Sequence, residues 1–304
     1  MAGSCPRPTV LLIEVIIMYK LLTFLKQIPE YQLLLKSVAR NEAAAVTGLG
    51  QINRSHLIAG LCREYDRPIV VICQDDMTAK RLQQELAAFL GETAPVLPSR
   101  ELTLYDTAVV SRAWEQKRLN QLHALAGGQT KLQIFTWESV SQRTIPPAVL
   151  SKAAFRLEVG QEYPLDELCE KLSHAGYTRC GMVEGPGQFA VRGGIVDIYS
   201  PAADRPVRAE FFGDELDTMG YFDPASQRRT ENTDDLVILP VGETQPRLHP
   251  DGLPGLCKDI EKLISRQKRR KNPNEKLLKT LEADLEKYQN GMNHPASDRY
   301  MGLI

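Results

Sequence analysis

No run in the 304 residues approaches the roughly 20 apolar positions that a membrane span requires. The longest, Val10 to Met18, is interrupted by Glu14. Arg7 precedes it, but no small-residue cleavage pattern follows, so it does not read as a signal peptide. Residues 1–17 read instead as an extension ahead of a start at Met18, where MYKLLTFL opens a helix-like pattern. Cysteine is sparse. The six, at 5, 62, 73, 169, 180 and 257, approach no closer than eleven positions, which excludes metal-ligand spacing and a dense disulfide framework. They read as reduced thiols of a cytoplasmic protein. Five scattered histidines and the lack of HExxH likewise argue against a zinc module. An excess of one charge is also missing: 37 Lys+Arg against 38 Asp+Glu leave a net −1, with no polybasic arm overall. What remains, 43% hydrophobic and 25% charged, is ordinary globular composition at a length of about two domains.

Residues 18–150 read as α/β. Ala43–Thr47, Pro68–Cys73 and Leu132–Thr136 are strand candidates, and their continuous apolar character predicts strands covered on both faces of a parallel sheet. Helical spacing between them, as in Leu82, Leu86, Phe89 and Leu90, gives the alternation of a doubly wound architecture. Ile145-Pro146-Pro147 closes the segment. Residues 151–240 have another texture. A helix over Pro164–Ala175 carries Leu165, Leu168 and Leu172 on one face and has Gly176 as terminator. Alternating runs at 189–192, 195–199 and 207–211, separated by turn residues, then predict an antiparallel meander with one covering helix, an α+β domain. In Phe211-Phe212, the period of two sends one ring inward.

Residues 241–304 read as mostly helical. Asn272-Pro273 offers a cap and a first helical proline, Leu277, Leu278, Leu281, Leu285 and Tyr288 form the stripe, and Gly291 ends it. Lys258 to Lys279 holds nine Lys/Arg against three Asp/Glu, and Lys268-Arg269-Arg270-Lys271 within it reads first as a solvated helix end. Arg299 to Ile304 reads as a truncated strand.

Gly48 to Ser55, GLGQINRS, lies between a strand candidate and a helical pattern, where a phosphate loop GxxxxGK[ST] would sit. Gly48 and Ser55 match, but Asn53 replaces the second glycine and Arg54 the lysine. A side chain at the second glycine obstructs the cradle of backbone N–H groups. Arginine's planar fork does not reproduce lysine's compact charge. The loop is therefore read as degenerate, with no functional cofactor site. Asp75-Asp76, superficially the acidic strand end of a Walker B motif, reads better as a helix cap onto Thr78.

The stretches MVEGPGQFAVRGGIVDIYSP (182–201) and PVRAEFFGDELDTMGYFDPASQRR (206–229) resemble the UvrB-homology module of bacterial nucleotide excision repair. UvrB and the N-terminal region of the transcription-repair coupling factor (Mfd) share that module. The resemblance covers most of the chain. It implies a split, helicase-like parallel-sheet half-domain with an inserted α+β domain 2: 18–150 as domain 1a, 151–240 as domain 2, and 241–304 as the truncated start of domain 1b. Three features favour the coupling factor over UvrB. The phosphate loop is degenerate. The stretch PSRELTLYDTAVVSRAWEQKRLNQLHAL is short, with Tyr105 as its only tyrosine, where UvrB has a tyrosine-rich hairpin. The basic helical insert near Lys258–Lys271 is also more like the coupling factor.

The resemblance further implies a non-catalytic module that recruits UvrA through domain 2 in transcription-coupled nucleotide excision repair. Carried over by position, the UvrA-binding residues are Arg179, Arg192, Asp197, Tyr199, Arg208 and Glu210. Ala190 and Pro186 stand where UvrB can have arginine. On the residues alone, Arg192 and Arg208 could equally be exposed cross-strand partners of Asp197 or Glu210. From Tyr177 to Asp235, six arginines and no lysine face eleven Asp/Glu, which argues against a DNA-binding surface there. ATP with Mg2+, RNA polymerase and DNA are expected only through motor and polymerase-binding domains beyond this chain, whose C-terminal region could mask domain 2. The competing reading is a UvrB-like, damage-verifying ATPase fragment.

Overall fold

The computed structural model describes residues 20–100, 113–292 and 296–303. The extension at 1–17, Tyr105 in the shortened hairpin stretch, and Ile304 lie outside the described residues. The chain divides into two compact units: residues 20–99 with 127–142, and Arg100 with 113–126 and 143–303.

The first unit holds α1 (Pro29–Ala39), α2 (Gln51–Glu64), β1 (Ile69–Cys73), α3 (Asp76–Leu90) and β2 (Val96–Leu97). The next helix, α4 (Ala113–Ala126), belongs to the second unit, and β3 (Leu132–Thr136) and α5 (Trp137–Ser141) return to the first. The three strands are parallel in the order β1-β3-β2. Asp75 caps α3 as expected, accepting from the Thr78 N–H at 2.7 Å, a bond that holds its carboxyl below the usual aspartate range. Ala79, Leu82, Leu86 and Phe89 of α3 pack with Cys73, Leu132 and Ile134 of the sheet.

Two expectations fail in this unit. Ala43–Thr47 is exposed irregular chain rather than a strand; an apolar run becomes a strand only where a neighbour completes its hydrogen-bond ladder. Strand β1 alternates in burial, with Val70 and Ile72 55% and 52% exposed, so among the described residues it is covered on one face only. It is also one of the two edge strands of this sheet, and continuous apolar character did not reveal that.

The second unit contains α6 (Pro147–Ala153), β4 (Phe155–Glu158), α7 (Leu165–His174), β5 (Thr178–Arg179), β6 (Gln188–Arg192) and β7 (Ile195–Tyr199). It continues through β8 (Val207–Phe212), β9 (Glu215–Phe222), β10 (Arg229–Asn232), β11 (Asp235–Ile238), α8 (Gly252–Lys268) and α9 (Glu275–Gln289). Strands β6 to β10 form the expected antiparallel meander, and β5 joins its edge parallel to β6. The β4–β11 ribbon and α7 complete the core, where Leu157, Leu168, Leu172 and Ile238 meet Phe189, Val196, Ile198, Val207, Ala209 and Met219. Tyr177 donates its hydroxyl to Leu239 O at 2.9 Å, and burial raises its pKa. The β6–β7 turn uses Gly193 at φ +60°, a conformation costly for other residues.

A buried ionic group lies elsewhere in this unit. Glu243 accepts from Arg118 Nε at 2.6 Å and from the Ile145 N–H at 3.3 Å, while Arg100 donates to Thr244 Oγ1 at 2.6 Å and pairs with Asp298. Helices α8 and α9 pack through Leu256, Ile260, Ile264, Leu281 and Tyr288. Asn274, not Asn272, caps α9, accepting from the Leu277 N–H at 3.0 Å, so the helix starts two residues later than Asn272-Pro273 suggested. Gly291 ends it at φ +68°, as expected. The anticipated terminal strand is a 3-10 turn, Ser297–Tyr300. Its backbone N–H groups are spent within the turn, as in Met301 N–H to Asp298 O at 3.3 Å and Leu303 N–H to Tyr300 O at 2.8 Å, while the Arg299 and Tyr300 side chains both donate to Asp284 of α9, at 2.7 and 2.6 Å.

Candidate functional site

In an antiparallel sheet, residues directly opposite one another project to the same face. The register of β6 to β9 therefore builds two cross-strand rows on the face away from α7. One row is Ala190, Asp197, Arg208, Gly220; the next is Arg192, Ile195, Glu210, Thr218. Tyr199 lies on the same face, opposite Gln188. Five of the six residues singled out in the sequence, Arg192, Asp197, Tyr199, Arg208 and Glu210, thus share one surface. Arg179 does not: it pairs with Phe189, a core residue, and so belongs to the helix-covered face. Its charge is felt at Cys169 of α7.

The five are not equally available. Asp197 is 1% exposed and receives a bidentate fork from Arg208, Nε to Oδ1 at 2.6 Å and Nη2 to Oδ2 at 2.9 Å. This charge-assisted pair holds the Arg208 guanidinium charged, its pKa raised by the bonds to Asp197. The guanidinium also stacks 4.8 Å over the buried Phe222 ring. Arg208 is consequently committed inside the domain rather than exposed. Arg192, half-exposed, donates Nη2 to Gly181 O at 2.7 Å and stands 3.9 Å from Asp197, leaving much of its fork to solvent. Tyr199 donates to Asp204 O at 2.9 Å. Glu210, part-exposed, accepts from Arg229 Nη1 at 3.0 Å.

Two neighbours on this face were not among the binding residues read from the sequence. Phe212, two residues beyond Glu210, is 84% exposed while Phe211 packs on the core, so the inward ring is Phe211. Ile195, 37% exposed, adds an apolar side chain within the row between Arg192 and Glu210. Arg229 comes from β10, across from Phe222. Strand alternation sends one ring of Phe211-Phe212 outward without saying which; Arg229 required the register of the β9–β10 hairpin. Solvent-facing aromatic and arginine side chains on a rigid sheet are the usual composition of an interface centre.

At Gly48 to Ser55, no strand precedes the loop, Asn53 and Arg54 are exposed in the first turn of α2, and the buried Ser55 hydroxyl donates to Glu85. Among the described residues, no group of three His, Cys, Asp or Glu side chains could hold a metal, and no helix is long and apolar enough to cross a membrane. The chain from Lys268 to Leu277, at the α8–α9 junction, is exposed.

Residues 155–243 match the UvrB interaction domain. The chain is 33% identical over 214 residues to a transcription-repair-coupling factor of Myxococcus xanthus, covering 66% of this chain and 18% of that protein. It is 28% identical over 223 residues to that of Bacillus subtilis (strain 168), covering 73% and 19%, and 30% identical over 187 residues to that of Escherichia coli (strain K12), covering 62% and 16%. The matches therefore span less than a fifth of the length of these relatives.

Proposed function

We propose, for a chain that carries a UvrB interaction domain and is homologous to transcription-repair coupling factors over most of its length, that it serves as a non-catalytic docking module recruiting UvrA in transcription-coupled nucleotide excision repair. In this reading, domain 2 (151–240) is the docking domain, flanked by 18–150 and 241–304 as the two parts of a divided domain 1. Translocation, ATP use and contact with RNA polymerase would belong to the rest of the longer relatives.

One observation carries the proposal. Arg192, Asp197, Tyr199, Arg208 and Glu210, five of the six residues that the resemblance points to, fall on one face of one sheet. Strands fixed by a ladder on both sides form a rigid platform, and arginine's fork suits directional contact with carboxylates. Arg192, with Phe212 as apolar anchor, is the side chain most available to a partner. The occupied Ser55 hydroxyl favours the non-catalytic reading of the loop.

Calorimetric titration of the chain with UvrA tests it. Arg192→Ala and Phe212→Ala should each weaken binding by about 2 kcal/mol or more, with unchanged circular dichroism. Arg192→Lys should recover only part of the loss. Full affinity in a folded Arg192→Ala/Phe212→Ala double variant would reject this face.

A further inference from the structure

We infer that Arg229 is a positioning residue of the docking face, which sets Glu210 for a hydrogen-bond donor on the partner, and that Gly220 is what lets it do so. The inference rests on the docking reading and extends it to the partner's chemistry.

Gly220 occupies the position next to Arg208 in its cross-strand row, where any side chain would project onto the face. None does, and the Arg229 side chain lies in the vacant place. A Cβ built on Gly220 would sit 2.2 Å from Arg229 Nε, 2.9 Å from its Cζ and 2.9 Å from the backbone Glu231 O of β10. Within this trough Arg229 donates Nη2 to Met219 O at 2.6 Å, and Nη1 to Thr218 Oγ1 at 3.3 Å and Glu210 Oε1 at 3.0 Å. Its Nε has no hydrogen-bond partner. The side chain is therefore held by its two terminal nitrogens, Nη2 anchored on the β9 backbone and Nη1 turned to Thr218 and Glu210 of the neighbouring row.

Glu210 Oε1 is thereby taken, and Oε2 accepts no hydrogen bond within the described residues. A glutamate on a free surface loses rotamer entropy when a partner fixes it. One already held by an arginine loses less, so its remaining oxygen is a pre-set acceptor. Arg192 faces the same row from β6 as a donor. The face thus presents a donor and an acceptor in one line, and the partner surface it fits carries a carboxylate for Arg192 and a guanidinium or ammonium for Glu210.

The test is a double-mutant cycle in UvrA binding on the full chain, using Arg229→Gln and Glu210→Ala, with Arg192→Ala measured alongside. Arg229→Gln should weaken binding about tenfold in the parent and not at all in the Glu210→Ala background, because coupled residues are non-additive. Gly220→Ala, which keeps Arg229 but fills its trough, should behave the same way. An equal loss in both backgrounds, or no loss in either, overturns the inference. If Arg229→Gln lowers the folded fraction, the cycle with Arg229→Met, which keeps the stem in the trough without the donors, decides on the same criteria. If Arg192→Ala weakens binding while the cycle shows no coupling, the positioning inference fails and the docking reading stands. If Arg192→Ala binds as the parent does, the docking reading itself is at fault, and the inference falls with it.

Discussion

The sheet face at 188–229 reads as a site in the sequence and the loop at 48–55 as the degenerate remnant of one, and the structure treats them differently. On the sheet, the charged residues are fixed by register, and several keep unused hydrogen-bonding capacity: Arg192 most of its fork, Glu210 one oxygen. In the loop, the one hydroxyl that matches a phosphate site is buried against Glu85, and Asn53 and Arg54 stand exposed with no strand behind them. Matching residue types make a motif. A site also needs a rigid frame that leaves the chemistry outward.

The largest effect that would break this contrast lies at Asp197. Replacing it by alanine leaves Arg208 partly buried over Phe222 without its carboxylate, and should cost on the order of 3–5 kcal/mol of stability, read as a shifted urea midpoint. Arg208→Ala should be comparably destabilising, because it strands Asp197 at 1% exposure. Arg208 is therefore a poor probe of partner binding, and Arg192 the better one. A near-neutral Asp197→Ala would mean the face is not held by this pair.

On the loop, Ser55→Ala should cost about 1 kcal/mol of stability, since Glu85 keeps Gln51 and Arg81 as neighbours. Neither this change nor Arg54→Ala should alter the response to Mg-ATP, with no appreciable binding or hydrolysis in any variant. Micromolar binding abolished by Arg54→Ala would restore the ATPase reading.

A third region sharpens the comparison. The α8–α9 junction carries Arg269, Arg270 and Lys271 exposed, without the frame of paired groups seen on the sheet. It should bind duplex DNA weakly, with affinity falling steeply as salt rises. Replacing the three by glutamate should remove that binding. Tight, damage-selective binding that persists at high salt would contradict the coupling-factor reading.

The smallest effect is in the turn before β10. Asp223 accepts from the Ser226 N–H at 2.6 Å, which holds its carboxyl below the usual aspartate range. A carboxylate with a depressed folded pKa stabilises above its unfolded value and loses that contribution as pH falls through the folded one. The Ser226 amide resonance should therefore follow a titration lying below that of a free aspartate. A titration at the ordinary value would show that the bond does not form.

Much of this was legible because strand alternation is a strong signal. Runs 189–192, 195–199 and 207–211 became β6, β7 and β8 within a residue, and Asp75 capped α3 as read. What escaped depended on distant pairing. Ala43–Thr47 is as apolar as a strand but has no ladder neighbour. Arg179 looked equivalent to Arg192 until β5 paired in parallel with β6 and set it opposite Phe189. The terminal run near Tyr300 was drawn to Asp284, and no local pattern announces that contact. Gly220 gives no signal in the sequence, because its use appears only with Arg229 laid across it.

Hydrogen–deuterium exchange of the chain, alone and saturated with UvrA, tests the central claim most directly. The account predicts added protection along β6 to β8, residues 188–212, and at β10 around Arg229, with none in α7 or in residues 48–55. Protection on α7, or at the loop with the sheet unchanged, would contradict it.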